Sequence, residues 1–217
     1  EIKMLEETGK VFLCRRRQDG IISASKNKYN VAILDDGFQD LSIESNFSIL
    51  CFNSKQSLGN GLTIPSGPLR EPLRAASRAD CIIINGIKNS KLEDKLDKIL
   101  EKKKLPIFYS KYKIKNLEKL QNKKIIAFAG IGNPSNFFDL LKENNLDILK
   151  SYPFPDHHDY TQKDFDKIKK DKSMTIVTTE KDYYRISDQQ KKDFNCVEVS
   201  LEIENENEFK DLIKKHL

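Results

Sequence analysis

No stretch of this sequence approaches the ~18 consecutive apolar residues of a membrane-spanning helix. Tryptophan is absent and there are only three histidines and four cysteines in 217 residues. Cys14, Cys51, Cys81 and Cys196 lie far apart, so no CxxC-type zinc or redox motif can be built from them. Each sits in or beside an apolar run, which predicts buried free thiols in a reducing compartment. No GxxxxGK[ST] phosphate-binding loop occurs anywhere, and the chain opens at Glu1 without an initiator Met, inside a helical pattern. Truncation upstream is therefore expected.

What is present describes a folded chain. With 38% hydrophobic and 33% charged residues it stays clear of the weakly hydrophobic, highly charged composition of disordered proteins. The balance of 38 basic against 33 acidic residues gives a net charge of +5. Its lysines are scattered, as on solvated helix faces, and point only weakly to an anionic partner.

Short β-branched runs bounded by Gly, Asn, Asp or Pro recur at Val11–Cys14, Val31–Leu34, Phe47–Phe52, Cys81–Ile84, Ile107–Tyr109, Ile125–Ala129, Thr175–Thr178 and Cys196–Leu201. Helical patterns lie between many of them, among them Lys88–Lys104, Asn136–Glu143, Gln162–Lys170 and a closing Glu206–Leu217. Strands that are apolar throughout and alternate with helices predict an α/β fold with parallel sheets covered on both faces. A boundary near residue 115 separates an expected first domain, 1–115, from a second, 116–217.

Four constellations carry chemistry. Val31–Leu34 runs into Asp35-Asp36-Gly37-Phe38-Gln39, four apolar residues ending in two carboxylates. This reads as a Walker B strand placing a carboxylate near Mg2+, or equally as a strand ending in an Asp-Gly turn. Gly59–Pro72 is a loop stiffened by three Gly and three Pro that presents Arg70 and Glu71, a planar donor fork and a carboxylate suited to phosphate and metal, or to an ordinary surface ion pair. Phe154-Pro155-Asp156-His157-His158-Asp159-Tyr160 holds two of the three histidines; acid–base work or phosphate contact is preferred over metal binding. Ala127–Pro134 reads as strand, glycine turn and helix start. Ser135 stands where a dinucleotide fingerprint needs its third Gly, so a tight turn is the better reading, with backbone N–H groups that could still meet an anion.

Together with Thr179–Asp182 (TEKD), these blocks follow one another as in the tetraacyldisaccharide 4'-kinase family, which the chain resembles over its whole length. The resemblance implies a P-loop-NTPase-like α/β/α sandwich, here partial, plus a second, smaller α/β domain, with the active site between domains. It implies Mg2+ and ATP, lipid A disaccharide 1-phosphate as acceptor in lipid A biosynthesis, and no nucleic-acid partner. It also implies a location at the cytoplasmic face of the bacterial inner membrane, reached through an N-terminal region upstream of Glu1. Carried over by position, Asp35 and Asp36 flank Mg2+ with Glu71, while Gln39, Arg70, Glu71 and Arg17 meet nucleotide or phosphate. His157 takes the proton of the 4'-hydroxyl with the help of an Asp just before Glu1. Two departures stand out: Asp40 replaces a His, and the P-loop is missing, so the fragment alone is expected to be inactive. The rival reading is a non-catalytic Rossmann-type module that binds nucleotide or sugar phosphate at Gly130–Asn133.

Overall fold

The computed structural model describes residues 2–100, 103–170 and 173–216. The chain forms two compact units, one of residues 12–111 and 201–217, the other of residues 1–11 and 112–200. It passes between them three times, once after Val11 and then inside two strands, β3 (Ile107–Ile114) and β8 (Val199–Ile203).

In the first unit, β1 (Ile49–Asn53) and β2 (Cys81–Asn85) join a sheet ordered β1-β2-β3-β8, in which β1, β2 and β3 run parallel. Strand β2 is apolar from Cys81 to Ile84 because both its faces are covered there. Ile82 and Ile84 point to one side, against Leu92, Leu96 and Leu100 of helix α3 (Ser90–Leu100). Those leucines recur every fourth residue, so one stripe of α3 is buried while its Lys and Asp face solvent. Cys81 and Ile83 point to the other side, against Phe108 and Phe209 of α8 (Glu206–Lys214). Asn89 accepts the Leu92 amide at 3.1 Å and fixes where α3 begins. The remaining helices before it are α1 (Ile2–Glu6), in the second unit, and α2 (Arg17–Lys26).

The second unit holds β4 (Lys124–Ala129), β5 (Asp147–Pro153), β6 (Thr175–Thr179) and β7 (Asn195–Val197) in the order β5-β4-β6-β7, all parallel. Ile125, Ala127 and Ala129 face Phe137, Phe138 and Leu141 of α4 (Pro134–Glu143). On the opposite face Ile126 and Phe128 meet Phe165 and Ile168 of α5 (Gln162–Ile168). Each buried Ile, Leu or Phe among them contributes about 1.5–3 kcal/mol of transfer free energy. Helices α6 (Glu180–Arg185) and α7 (Asp188–Lys191) connect β6 to β7.

The α/β class and the parallel sheets follow the sequence expectation, but several elements differ. Val11–Cys14 and Val31–Leu34 are irregular: neither pairs with a strand among the described residues, and Leu13 and Ile33 are 76% and 93% exposed. An apolar run becomes a strand only when a partner takes its backbone groups. The expected Walker B strand is therefore an extended segment ending in a turn. The Cys196–Leu201 run is split between the two sheets at Glu198, whose amide donates to Asn116 Oδ1 at 3.1 Å and whose carbonyl accepts from Lys115 N at 2.8 Å. The closing helix packs on the β2–β3 face of the first unit. Helix α3 is shorter than Lys88–Lys104, and residues 101–102 of that expectation lie outside the described residues, as do Glu1 and Leu217. Of the cysteines, Cys81 is buried, Cys196 is partly covered, and Cys14 and Cys51 are exposed. Cys14 lies on an unpaired segment, and Cys51 on the edge strand β1.

Candidate active site

Three guanidinium groups converge on the turn after Leu34. Arg17, the first residue of α2, donates to the carbonyls of Asp35 and Asp36 at 3.3 and 3.0 Å and to the Asp40 carboxylate at 3.3 Å. Arg70 places one Nη between both Asp36 carboxylate oxygens, at 2.5 and 2.7 Å. Arg78 donates to the Phe38 carbonyl at 3.3 Å and lies 4.7 Å above the Phe38 ring, an arrangement favoured by the ring quadrupole. Asp36 adopts a left-handed φ of 51°, and a Cβ on Gly37 would come within 2.8 Å of Leu34, so the turn tolerates no bulk there. The Arg70 hydrogen bond holds the Asp36 carboxyl below the ordinary range, with Arg17 adding to it. Asp40 is lowered as well, first by the Ser42 hydroxyl and amide and then by Arg17.

The loop carrying Arg70 is built to hold its shape. Asn60 donates to the Ser66 carbonyl at 2.7 Å and accepts the Leu62 amide at 3.1 Å, while the Ile64 and Leu69 amides bond the carbonyls of Leu69 and Leu62 across the loop. Gly67 packs against Asn60 and the Leu62 carbonyl so closely that an added Cβ would lie 2.2 Å from the Asn60 side-chain oxygen. Glu71 points back to Arg78 at 2.9 Å. Glu71, Pro72, Arg74, Ala75, Ser77 and Arg78 line an open cleft of ≈ 420 Å³, in which Arg74 has no acidic partner among the described residues. The Asp-Asp turn and the Arg-Glu loop, 34 residues apart, thus meet in one place.

Gln39 is exposed and the Asp35 carboxylate carries no cation among the described residues. No three His, Cys, Asp or Glu side chains converge on a common point among the described residues. Mg2+ in phosphoryl transfer needs no such cage: one or two carboxylates suffice, with water and phosphate oxygens filling the shell. Asp35 and Asp36 supply hard oxygens of that kind. Glu71 and Asp36 are both engaged by arginine, so either would have to share its oxygens between cation and metal.

The histidine loop belongs to the second unit and treats its two histidines differently. His158 stacks on Phe154 with centroids 4.7 Å apart, meets Tyr160 edge to face, and bonds Asp164 through Nε2 at 3.1 Å. Asp164 is itself held below the ordinary carboxyl range, first by the Thr161 amide and hydroxyl and then by His158. The side chain of His157 is 69% exposed, with Nε2 3.9 Å from an Asp156 oxygen. Its backbone has a φ of 56°, and its amide donates to the Gly130 carbonyl at 3.1 Å and to Asp156 Oδ1 at 3.0 Å.

The Gly130–Asn133 turn is poorly suited to an anion. Its first amide, Gly130 N, already donates to the buried Asp182 carboxylate at 2.9 Å, and a Cβ on Gly132 would lie 3.6 Å from an Asp156 oxygen. Two carboxylates beside the turn oppose a bound phosphate.

The sequence reading passed over Arg78, Asp182 and Arg185. The regular spacing of Arg70, Arg74 and Arg78 was a visible signal for the first; TEKD marked Asp182 without saying what it touches.

The profile of the tetraacyldisaccharide-1-P 4'-kinase family matches residues 1–217. The tetraacyldisaccharide 4'-kinase of Pelagibacter ubique is 36% identical over 210 residues, covering 95% of this chain and 67% of its own length. That of Rhodopseudomonas palustris (strain BisA53) is 33% identical over 86% of this chain and 56% of its own length. The solved structure of LpxK from Aquifex aeolicus in complex with ATP superposes with a TM-score of 0.63 at 25% identity, covering 91% of this chain and 61% of that one. The chain thus spans two thirds or less of the length of the relatives it matches. With the family profile running from the first residue to the last across both the arginine-bound turn and the histidine loop, the chain belongs to the tetraacyldisaccharide-1-P 4'-kinase family.

Proposed function

We propose that the whole protein transfers the γ-phosphoryl group of ATP to the 4'-hydroxyl of lipid A disaccharide 1-phosphate. The observation that carries this reading is the Arg70–Asp36 contact, which joins the carboxylate turn to the arginine loop in a chain of this family. The ATP complex of the related Aquifex aeolicus protein supports the donor. Asp35 and Asp36, with Glu71, would hold Mg2+, which when bound neutralises charge on the transferring phosphoryl oxygens. Arg70 steers Asp36 and offers its remaining donors to phosphate, and the planar guanidinium suits that geometry. Arg17 fixes the turn through two carbonyls, and Gln39, exposed on the same turn, would meet an approaching nucleotide phosphate. His157, exposed and free of a strong partner, accepts the hydroxyl proton. Its orienting carboxylate is expected from the part of the family that this chain does not span.

The lipid substrate places the reaction at a membrane surface, and we propose the cytoplasmic face of the bacterial inner membrane, contacted through the N-terminal part of the family. No helix among the described residues is long and apolar enough to cross a membrane. The direct test is Asp36→Ala in the whole protein. Turnover should fall by ~10²-fold or more, as expected when charge stabilisation worth several kcal/mol is lost, with the fold intact by circular dichroism. Unchanged turnover across a Mg2+ titration would remove Asp36 from the site.

A further inference from the structure

Open parallel sheets hold ligands at the carboxyl ends of their strands, in the crevice where successive connections leave in opposite directions. In the second unit that crevice lies between β4 and β6: the chain leaves β4 toward β5 on one side and leaves β6 toward β7 on the other. Here the crevice is filled by the protein itself.

Asp182, in the first turn of α6, is fully buried there, and its carboxylate accepts four hydrogen bonds, one of them from its own helix cap, Thr179. Gly130 N and the Thr179 hydroxyl reach one oxygen at 2.9 and 2.8 Å; the Tyr160 hydroxyl and Arg185 Nη1 reach the other at 2.9 and 3.3 Å. A carboxylate can satisfy all four donors, whereas an amide of the same shape presents one acceptor and an NH2 group in place of the other. One helical turn on, Arg185 spreads its guanidinium between two further carbonyls, Gly130 at 3.1 Å and His158 at 2.7 Å. The Gly130 carbonyl also receives the His157 amide, at 3.1 Å. A Cβ at Gly130 would stand 2.8 Å from the Tyr160 hydroxyl and 3.2 Å from Asp182, so the junction closes only around glycine. Burial, and then the Asp182 charge, raises the pKa of the Tyr160 hydroxyl and keeps it a donor.

We infer that Asp182 and Arg185, at the switch point of the second sheet, form a clamp that positions the His157–His158 loop for the proton-transfer step. They are positioning residues: they hold Gly130, His158 and Tyr160, and through Gly130 the backbone of His157, which stands in a left-handed conformation with its imidazole in solvent. The crevice that other sheets of this kind leave open to a nucleotide is here spent on holding a loop. The inference rests on the proposed role of His157, and its test separates the two.

The experiment compares Asp182→Asn, Arg185→Lys and His157→Ala in the whole protein by steady-state kinetics and by hydrogen exchange at the amides of Gly130 and His157. Arg185→Lys keeps the charge and loses the fork, and serves if Asp182→Asn fails to fold. Both clamp variants should speed exchange at Gly130 and His157 by roughly tenfold or more while the β4 core amides stay protected, as in a local opening. Their kcat should fall by ~10–10²-fold with KM for ATP changed less than about twofold, the signature of a misplaced catalytic group rather than a lost binding contact. Unchanged exchange in both variants overturns the clamp. Faster exchange with full kcat, while His157→Ala is inactive, overturns its positioning role. If His157→Ala keeps full activity, the proposed base is wrong, and the exchange measurement alone then decides the clamp.

Discussion

His157 and His158 are neighbours in sequence with opposite circumstances, and the difference is measurable. His158 is stacked, edge-packed and bonded to Asp164, so its imidazole is already committed to the loop. His157 is exposed, with only a distant carboxylate beside it. In the whole protein, His157→Ala should lower kcat by ~10²–10⁴-fold, the range for losing a positioned general base. His158→Ala should cost far less. The pH dependence follows the same division. A base is disabled on the acidic side, where the imidazole carries a proton, so the acidic limb of the rate profile should vanish in His157→Ala and persist in His158→Ala. Asp164 sets the pH range over which the loop itself stays anchored. Its carboxyl is depressed in the fold, so the anchoring of His158 is complete above the ordinary carboxyl pKa and is lost only as pH falls through the lower folded value. A limb that survives without His157 would assign the base elsewhere.

At the scale of elements, the sheets were legible and their partners were not. The β-branched runs at Cys81–Ile84 and Ile125–Ala129 became central strands because their composition fits burial on both faces. Val31–Leu34 has the same composition and forms no strand, since apolar side chains supply burial but not the neighbouring backbone that a strand requires. The turn after it was read correctly as two carboxylates at the end of an apolar run. What sequence spacing could not disclose is that Arg17, Arg70 and Arg78 close on that turn from three separate segments. The closing helix was likewise recognised by its amphipathic pattern, while its docking site, 100 residues away in sequence, was not. Phe209 of α8 packs edge to face on Phe108 with centroids 5.1 Å apart, beside buried Cys81 and Ile83. Phe209→Ala should therefore destabilise the first unit by about 3–5 kcal/mol, the usual loss for a buried Phe truncated to Ala. The denaturant midpoint measures it; a shift equivalent to less than ~0.5 kcal/mol, the range of a surface change, would show that α8 is not part of the core.

For the molecule as a whole, folding and function make different demands. Each unit has a sheet built on parallel strands with buried side chains on both faces, the basis for cooperative folding. Phosphoryl transfer also needs a cradle for the donor phosphates, usually a glycine-rich loop whose amides and lysine neutralise them. No GxxxxGK[ST] occurs in these 217 residues, and the Gly130 turn cannot substitute because Asp182 holds its first amide. Arg70 and Arg78 already face Asp36 and Glu71. The chain alone should therefore unfold in a cooperative transition yet bind Mg-ATP more weakly than ~1 mM, a free energy of only about −4 kcal/mol, and transfer no phosphate to the disaccharide. Supplying the part of the family's length that this chain does not span, which should encode GxxxxGK[ST], should bring back both activities. Isothermal titration of the chain with Mg-ATP decides the first half, and a radiolabelled transfer assay on the restored protein the second. Tight nucleotide binding by the 217 residues alone would mean that the arginine-lined cleft beside Arg74 cradles the phosphates and that the turn and loop described above are the donor site in full.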